Sequence, residues 1–168
     1  MFGTKSDNNG FFYIDTSVLV KRYKSEKGTE FADHLMEVLI PEKHVVATSA
    51  LTMIELVSVL KRAEKGKILS KKDISMAMAA FSRDSERLTI RPIGEGTMEK
   101  ALDVIMVHGT KTLDSIHLGS LLELRDIMRL VHEDVILISD DVEMCEAARK
   151  EKFLVITSND LDMLKELS

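Results

Sequence analysis

The chain has 168 residues, of which 45% are hydrophobic, so it is long enough to bury one core and too short for two domains to be expected. Its formal net charge of −5 provides no whole-chain positive field of the kind that attracts nucleic acids. With no Trp and 5% aromatic residues, recognition of single strands by aromatic stacking is disfavoured. The single cysteine, Cys145, excludes an internal disulfide and fits a reducing compartment.

The start of the chain and its longest apolar stretch indicate neither export nor membrane insertion. Residues 1–10 are polar and lack the apolar region of a signal peptide, so we predict a flexible leader there and a single domain over residues 11–168. The longest apolar stretch, residues 45–60, contains Glu55 and several hydroxyl groups, which argues against a transmembrane helix. We therefore expect a cytoplasmic protein with no membrane partner.

Apolar runs and helix-stop signals divide the first half of the chain into short elements. In chain order, we predict a strand at Phe11–Ile14, helices at Thr16–Tyr23 and Thr29–Leu39, a strand at Val45–Thr48, and helices from Ser49 to Gly66 and from Ser70 to Glu86. Pro41 is expected to end the second helix. Ser49 and Ser70 are candidate N-caps, Asp73 completes a capping box with Ser70, and Gly66 ends the third helix.

The second half of the chain continues the alternation of strands and helices. It predicts a strand at Leu88–Arg91, helices at Thr97–Val107 and Thr112–Leu130, a strand at Val135–Ile138, a helix at Val142–Lys150, a strand at Leu154–Thr157 and a helix at Leu161–Leu167. Strands that are apolar on both faces and alternate with helices favour an α/β fold, a three-layer α/β/α sandwich with a mostly parallel sheet of about five strands. In such sheets, ligands bind at the carboxyl ends of the strands.

Four acidic residues occupy positions where a carboxylate is costly. Asp15 and Asp141 follow two of the most apolar predicted strands, Glu55 interrupts an apolar helix, and Asp114 lies near the start of another helix. Carboxylates that are buried or half-buried destabilise a protein unless they are paired or bind a metal. Their positions therefore suggest that they converge on a divalent cation.

Each acid also has a purely structural interpretation. Asp15 and Asp141 would cap the helices that follow them. Glu55 would belong to a polar stripe with a partner such as Arg62, and Asp114 would be favoured by the dipole at its helix N-terminus. If the four acids converge instead, their mutual repulsion raises their pKa values until cations bind. Oxygen ligands favour Mg²⁺ or Mn²⁺ over Zn²⁺, and such a site suits phosphodiester hydrolysis.

The segments around these acids resemble the PIN-domain nucleases, in particular the VapC-type ribonuclease toxins. The matching segments, in an order and spacing that span most of the chain, are Tyr13–Val20, Thr48–Glu55, Thr112–Gly119 and Ile138–Asp141. The resemblance implies a parallel-sheet fold, carboxylates clustered in one pocket, Mg²⁺ or Mn²⁺, and cleavage of RNA. It also implies homodimers and, in toxin members, an inhibitory antitoxin.

The resemblance also implies roles for individual residues. The four acids match the family's acidic quartet, which binds the metal and carries catalysis: Asp15, Glu55, Asp114 and Asp141. Ser17 matches the small polar residue that supports the first acid. Ser139 takes the Thr position of a Thr-x-Asp pattern, which favours Asp141 over its competitor Asp140 as the fourth acid.

Basic residues near the acids are candidates for contact with RNA. We predict this role for Lys21, Arg22, Arg62 and Lys111, while solvated helix ends explain such charges equally well. His117 lies one helical turn after Asp114 and is within reach of a general-base role. A neutral histidine in the core is the commoner structure for such a residue.

These observations predict an Mg²⁺- or Mn²⁺-dependent endoribonuclease and, by resemblance, the toxin of a toxin–antitoxin pair. Two alternatives remain open: a catalytically silent PIN-fold interaction module in an RNA-processing or antitoxin complex, and a metal-dependent DNA nuclease. A phosphatase of the haloacid-dehalogenase type would require Asp-x-Asp after the first strand, and Asp15-Thr16-Ser17 lacks the second acid.

Overall fold

The structure is a computed structural model that describes residues 10–40 and 44–166. Its strands are β1 (Phe11–Ile14), β2 (Val45–Ser49), β3 (Thr89–Arg91), β4 (Val135–Ile138) and β5 (Leu154–Ile156). Its helices are α1 (Thr16–Leu19), α2 (Thr29–His34), α3 (Leu51–Lys65), α4 (Lys71–Ser85), α5 (Glu95–His108), α6 (Thr112–Arg129), α7 (Val142–Lys150) and α8 (Leu161–Glu166).

Every predicted strand and helix has a counterpart in the structure, with differences at the helix ends. The predicted helix Thr16–Tyr23 is α1 followed by a 3₁₀ turn, Val20–Arg22. The predicted helix Thr29–Leu39 is α2 followed by a wider π-helical turn, Leu35–Leu39. Residues 1–9 of the predicted leader, the helix stop at Pro41 and the last residue of the final helix lie outside the described residues, whereas Gly10 accepts a backbone hydrogen bond from Val45.

The five strands form one sheet in the order β3-β2-β1-β4-β5, and all of its strand pairs are parallel. The predicted sheet of about five mostly parallel strands is therefore confirmed. Strand β1 lies in the middle, with Tyr13 opposite Ala47 of β2 on one side and Leu137 of β4 on the other. The chain runs outward from β1 in both directions, so the order reverses there.

Helices cover both faces of the sheet. Successive side chains of a strand point to opposite faces, so one strand contributes to two separate core clusters. Phe12 and Ile14 of β1 belong to a core cluster that includes residues of α1, α2, α3, α4 and α8. Tyr13, between them, belongs to a second cluster with residues of α5, α6 and α7. The predicted three-layer α/β/α sandwich is confirmed. In the described part of the chain, no helix is both long and apolar enough to cross a membrane.

Capping interactions set the bounds of the longer helices. The predicted capping box of α4 is present, since the Asp73 amide donates to Ser70 Oγ and the Ser70 amide donates to Asp73 Oδ2. The prediction that Ser49 caps α3 is wrong by one residue. Ala50 is the N-cap, and Ser49 Oγ instead accepts a bond of 3.1 Å from the Leu51 amide. Gly109 ends α5 in the left-handed conformation, with φ of 67°.

Helices α5 and α6 approach each other closely at Gly119. A Cβ atom added at this position would lie 2.6 Å from the Thr97 carbonyl oxygen and 2.9 Å from the Ala101 amide nitrogen. Both contacts are with backbone atoms, which cannot rotate away as a side chain can. The pairing of the two helices therefore requires glycine at this point of α6.

We expect Gly119→Ala to lower the free energy of unfolding by about 1–3 kcal/mol, because the added methyl group overpacks the α5–α6 contact. Urea denaturation measures the change. Gly66→Ala is the matched control, since its added Cβ would meet its nearest neighbour at an ordinary 3.5 Å and Gly66 has φ of −75°. Equal stability of the two variants would contradict this account of the helix pair.

Candidate metal and active site

A cavity of about 320 Å³ opens at the carboxyl ends of β1 and β4. All four predicted acids line it: Asp15 after β1, Glu55 from α3, Asp114 from α6 and Asp141 after β4. The order of the sheet reverses at β1, which is where parallel α/β folds bind ligands. The fold therefore brings together four carboxylates from four separate segments of the chain.

Two serine hydroxyls fix the carboxylate of Asp15. Ser17 Oγ donates to Asp15 Oδ2 at 2.6 Å, and Ser139 Oγ donates to the same oxygen at 3.0 Å. The Ser17 amide also donates to Oδ2, so that Asp15 is the N-cap of α1. Asp15 is 6% exposed. These bonds occupy Oδ2 and leave Oδ1 directed toward His117, whose Nε2 lies 3.6 Å away.

Glu55 is held by a histidine and a threonine. His117 Nε2 lies 2.7 Å from Glu55 Oε2, and Thr16 Oγ1 donates to the same oxygen at 2.5 Å. His117 Nδ1 in turn lies 3.1 Å from the Tyr13 hydroxyl. A chain of polar contacts therefore runs from the centre of the sheet through the imidazole to the cavity.

The charges of Glu55 and His117 stabilise each other. Burial disfavours the charged form of each, but the hydrogen bonds of Glu55 with His117 and Thr16 leave the pKa of Glu55 below its usual value. The bond to Glu55 and the nearby charge of Asp15 similarly leave the pKa of His117 raised despite burial. His117 is buried, at 1% exposed, as a core histidine would be. The carboxylates of Glu55 and Asp15 favour the imidazolium, whereas the sequence analysis expected a neutral core histidine.

Asp114 and Asp141 form the other side of the cavity. Burial, followed by the charges of Asp141 and Asp15, raises the pKa of Asp114 to about 6. Asp141 is the N-cap of α7, and its Oδ1 accepts a bond of 2.8 Å from the Met144 amide. The structural interpretation of Asp141 as a cap therefore holds together with its place in the cavity.

Asp140 has partners of its own outside the cavity. Lys21 Nζ lies 2.5 Å from Asp140 Oδ2, and Ser158 donates to Asp140 from its amide and from its hydroxyl. Burial raises the pKa of Asp140, but these bonds lower it overall. Asp141, rather than Asp140, lines the cavity with the other three acids.

The four candidate RNA-contacting residues differ in their surroundings. Arg62 lines the cavity, whereas Lys111 is exposed and lies 3.2 Å from Glu143. Lys21 is bound to Asp140. Arg22 donates to three carboxylates, those of Asp33, Glu37 and Asp84.

Arg22 therefore belongs to an ion cluster that joins the turn after α1 to α4. The Tyr23 hydroxyl donates to the same Asp84 carboxylate at 2.9 Å. These bonds to carboxylates compete with a phosphate for the guanidinium, and the role of Arg22 as an RNA contact stays a prediction. Arg62 is the predicted cation that the structure places at the cavity.

Two of the cavity's acids form a tighter group with the buried His117, and three such residues could hold a metal ion. Ligand atoms of Asp15, Glu55 and His117 all lie within 4.8 Å of one another. Asp114 and Asp141 line the cavity outside this group. The sequence analysis considered His117 as a base and missed it as the partner of Glu55. The signal was its helical spacing from Asp114, which places both side chains on one face of α6.

The chain belongs to the PIN-domain family of metal-dependent nucleases, whose family model matches residues 12–165. No match is found among curated proteins. The resemblance of the chain to this family is thus confirmed.

Several solved structures share the fold at low sequence identity. PAE2754 from Pyrobaculum aerophilum has a TM-score of 0.61 and 15% identity, over 96% of this chain and 98% of its own. A toxin–antitoxin complex from Klebsiella pneumoniae has a TM-score of 0.53 and 16% identity, over 87% and 96%. DNA-bound VapBC from Salmonella typhimurium has a TM-score of 0.57 and 12% identity, over 89% and 98%.

The Glu55–His117 pair predicts a pH-dependent contribution to stability. The raised pKa of His117 adds stability that is complete below its usual value of 6.5 and is lost as pH rises through the folded value. The lowered pKa of Glu55 adds stability above its usual value of 4.5 that is lost as pH falls. The difference in free energy of unfolding between wild type and Glu55→Gln should therefore be greatest between these pH values and decrease above pH 7.

Urea denaturation from pH 4 to pH 9 measures this difference. Glu64→Gln, also on α3, is the control, because Glu64 pairs with the exposed Lys61. A Glu55→Gln difference that stays constant between pH 5 and pH 9 would show that the two groups do not share a charge.

Proposed function

We propose that the protein is an Mg²⁺- or Mn²⁺-dependent endoribonuclease that hydrolyses RNA phosphodiester bonds. The observation that carries this proposal is the convergence of Asp15, Glu55, Asp114 and Asp141 on one cavity. Membership of the PIN-domain family supports a nuclease. The choice of RNA rests on the resemblance to ribonuclease toxins.

The residues present fit a hard divalent cation. The cavity offers carboxylate oxygens, the ligands that Mg²⁺ and Mn²⁺ prefer. Burial, followed by the charges of Asp141 and Asp15, raises the pKa of Asp114, and a cation would relieve the part that is due to repulsion. Asp15, Asp114 and Asp141 are the proposed ligands, and Glu55 would contribute directly or through water. When bound, the cation would activate water and neutralise charge on the phosphate.

The chain's own residues have distinct tasks in this proposal. Ser17 and Ser139 hold Asp15 Oδ2, so that Oδ1 keeps one orientation. His117 and Thr16 bind Glu55 Oε2, which leaves Oε1 as the oxygen that accepts a hydrogen bond from the attacking water. Arg62, on the cavity wall, would contact a phosphate oxygen of the substrate.

We further propose that the protein is the toxin of a toxin–antitoxin pair, acts in the cytoplasm and forms homodimers. Fold likeness to a toxin–antitoxin complex and to VapBC supports the first part. An apolar groove of about 440 Å³ between α3 and α4 would suit an apolar segment of an antitoxin. This groove shares Ile54 with the acidic cavity, so a partner there would lie beside the active site.

We expect Asp15→Asn to abolish cleavage of a mixed RNA pool in Mn²⁺ while the far-ultraviolet circular dichroism spectrum stays unchanged. Asn caps a helix as well as Asp does, so α1 keeps its N-cap while the site loses a charge. Gel analysis of the pool with Mn²⁺, Mg²⁺ and EDTA measures cleavage. Glu143→Gln is the control, since Glu143 is exposed and lies outside the cavity lining.

The outcome decides among the alternatives. Undiminished cleavage by Asp15→Asn would contradict the assignment of the acidic cavity as the active site. Cleavage of DNA in a parallel pool, with RNA intact, would favour a DNA nuclease. No cleavage together with no binding of Mn²⁺ would favour a silent interaction module.

The toxin proposal is tested with the same two proteins. Induced expression of wild type in a bacterial host should arrest growth, and expression of Asp15→Asn should not, because arrest requires cleavage. Optical density after induction measures the effect. Normal growth of cells that express a wild-type protein shown to cleave RNA would contradict the toxin proposal, and the nuclease proposal would stand.

A second prediction separates the two adjacent acids after β4. Asp141→Asn should weaken Mn²⁺ binding by at least about tenfold, and Asp140→Asn should leave it nearly unchanged, because only Asp141 lines the cavity. Asn at position 141 keeps the cap of α7. Isothermal titration calorimetry measures both affinities. The reverse order of effects would make Asp140 the fourth acid.

A further inference from the structure

A second cavity, of about 400 Å³, opens at the carboxyl ends of β4 and β5. Its lining contains three basic residues, Lys21, Lys27 and Arg149, and two acidic residues, Asp140 and Glu146. The acidic cavity contains four carboxylates and one cation, Arg62. The two cavities at this end of the sheet therefore differ in the balance of their charges.

The two cavities are neighbours along the chain and in space. Asp141 lines the acidic cavity, and the next residue, Val142, lines the basic one. Consecutive Cα atoms are about 3.8 Å apart, so the first residues of α7 form the wall between the cavities. A strand bound with one phosphate at the acids would have adjoining phosphates within reach of the basic cavity.

The floor of the basic cavity is a fixed network of polar contacts. Lys21 Nζ lies 2.5 Å from Asp140 Oδ2 and donates to Ser158 Oγ at 3.0 Å. Ser158 donates from its amide and hydroxyl to Asp140, at 2.7 and 2.6 Å. Because these groups satisfy one another, the charge of Lys21 is neutralised, and the floor is neutral and rigid.

Gly28 fixes the loop that carries Lys27 against this floor. Its φ is 96°, and an added Cβ atom would lie 2.6 Å from Ser158 Oγ and 2.9 Å from Lys21 Cδ. A glycine is therefore needed for the loop to pack here, both for its backbone conformation and for the close approach. Lys27 precedes it and lines the cavity.

Two cations of the cavity remain available to a ligand. Lys27 and Arg149 are exposed, and neither has a carboxylate within 4.0 Å among residues 10–40 and 44–166. Glu146 is the one lining carboxylate that no described cation pairs with. Two free cations above a neutral floor, with polar loop residues at the end of β5, suit a phosphate group.

We propose that this basic cavity binds a backbone phosphate of the nucleic-acid strand next to the cleaved bond, with Lys27 and Arg149 as the phosphate-contacting residues. The inference rests on the proposed nuclease function. It gives a nucleic-acid strand a local basic surface to bind on a chain whose net charge is −5. Phosphate contacts position a strand without reading its sequence, so the cavity would act on any sequence.

The test compares a Lys27→Gln/Arg149→Gln variant with wild type in binding a labelled single-stranded RNA, and a DNA of the same sequence, in EDTA. Fluorescence anisotropy at several salt concentrations gives the affinity and its salt dependence. Two lost phosphate contacts should weaken binding by roughly tenfold or more and reduce the slope of log K against log salt by about 1.4. Arg83→Gln/Arg129→Gln is the control, since both arginines are exposed and outside both cavities.

The proposal is supported if the Lys27/Arg149 variant loses affinity and slope while the control matches wild type. Equal losses in both variants would overturn it, since they would reflect net charge rather than a site. An unchanged slope in the Lys27/Arg149 variant, or no binding of either oligonucleotide by wild type, would also overturn it. If the salt dependence of binding decreases in the Lys27/Arg149 variant alone, while the wild-type protein cleaves no RNA with Mn²⁺, the phosphate site is upheld and the endoribonuclease is refuted.

Discussion

The site depends on the bonds that two serine hydroxyls make to one oxygen of Asp15. Ser17 follows β1 and Ser139 follows β4, so their bonds to Asp15 Oδ2 join the ends of two neighbouring strands. Ser17 Oγ also accepts from the Asp140 amide, and Ser139 Oγ accepts from the Asp141 amide. The same hydroxyls therefore fix the first acid and the backbone that carries the last one. Hydrogen bonds to a charged group are stronger than those between neutral groups, which suits them to this task.

A second constraint is the charge balance around His117. The imidazole lies between Asp15 and Glu55, at 3.6 and 2.7 Å, and is itself buried. The positive charge of an imidazolium there reduces repulsion between two of the four acids without help from a metal ion. Asp114 and Asp141 lie outside this balanced pair, and burial followed by the charges of Asp141 and Asp15 raises the pKa of Asp114. The cavity is thus divided into a side balanced by histidine and a side that is still negative.

Much of this arrangement could be predicted because it follows from local sequence. Apolar runs such as Phe11–Ile14 and Val135–Ile138 predicted the strands, and parallel strands bring their carboxyl ends to one edge. The convergence of acids after those strands was predicted for the same reason. Contacts between distant segments carried no such signal. Glu55 and His117 are 62 residues apart, as are Arg22 and Asp84. Helical spacing showed which face of α6 carries His117, but it could not show which other helix packs against that face.

The carboxylate of Asp141 both caps α7 and lines the acidic cavity, and this links the cavity to the helix. Its Oδ1 holds the Met144 amide in the first turn of α7, while its side chain also lines the acidic cavity. Any ligand that draws this carboxylate toward the cavity changes the protection of that amide from solvent. Hydrogen exchange at Met144 would then report occupancy of the site directly, with no substrate present. The first turn of α7 therefore responds to whatever binds in the cavity beside it.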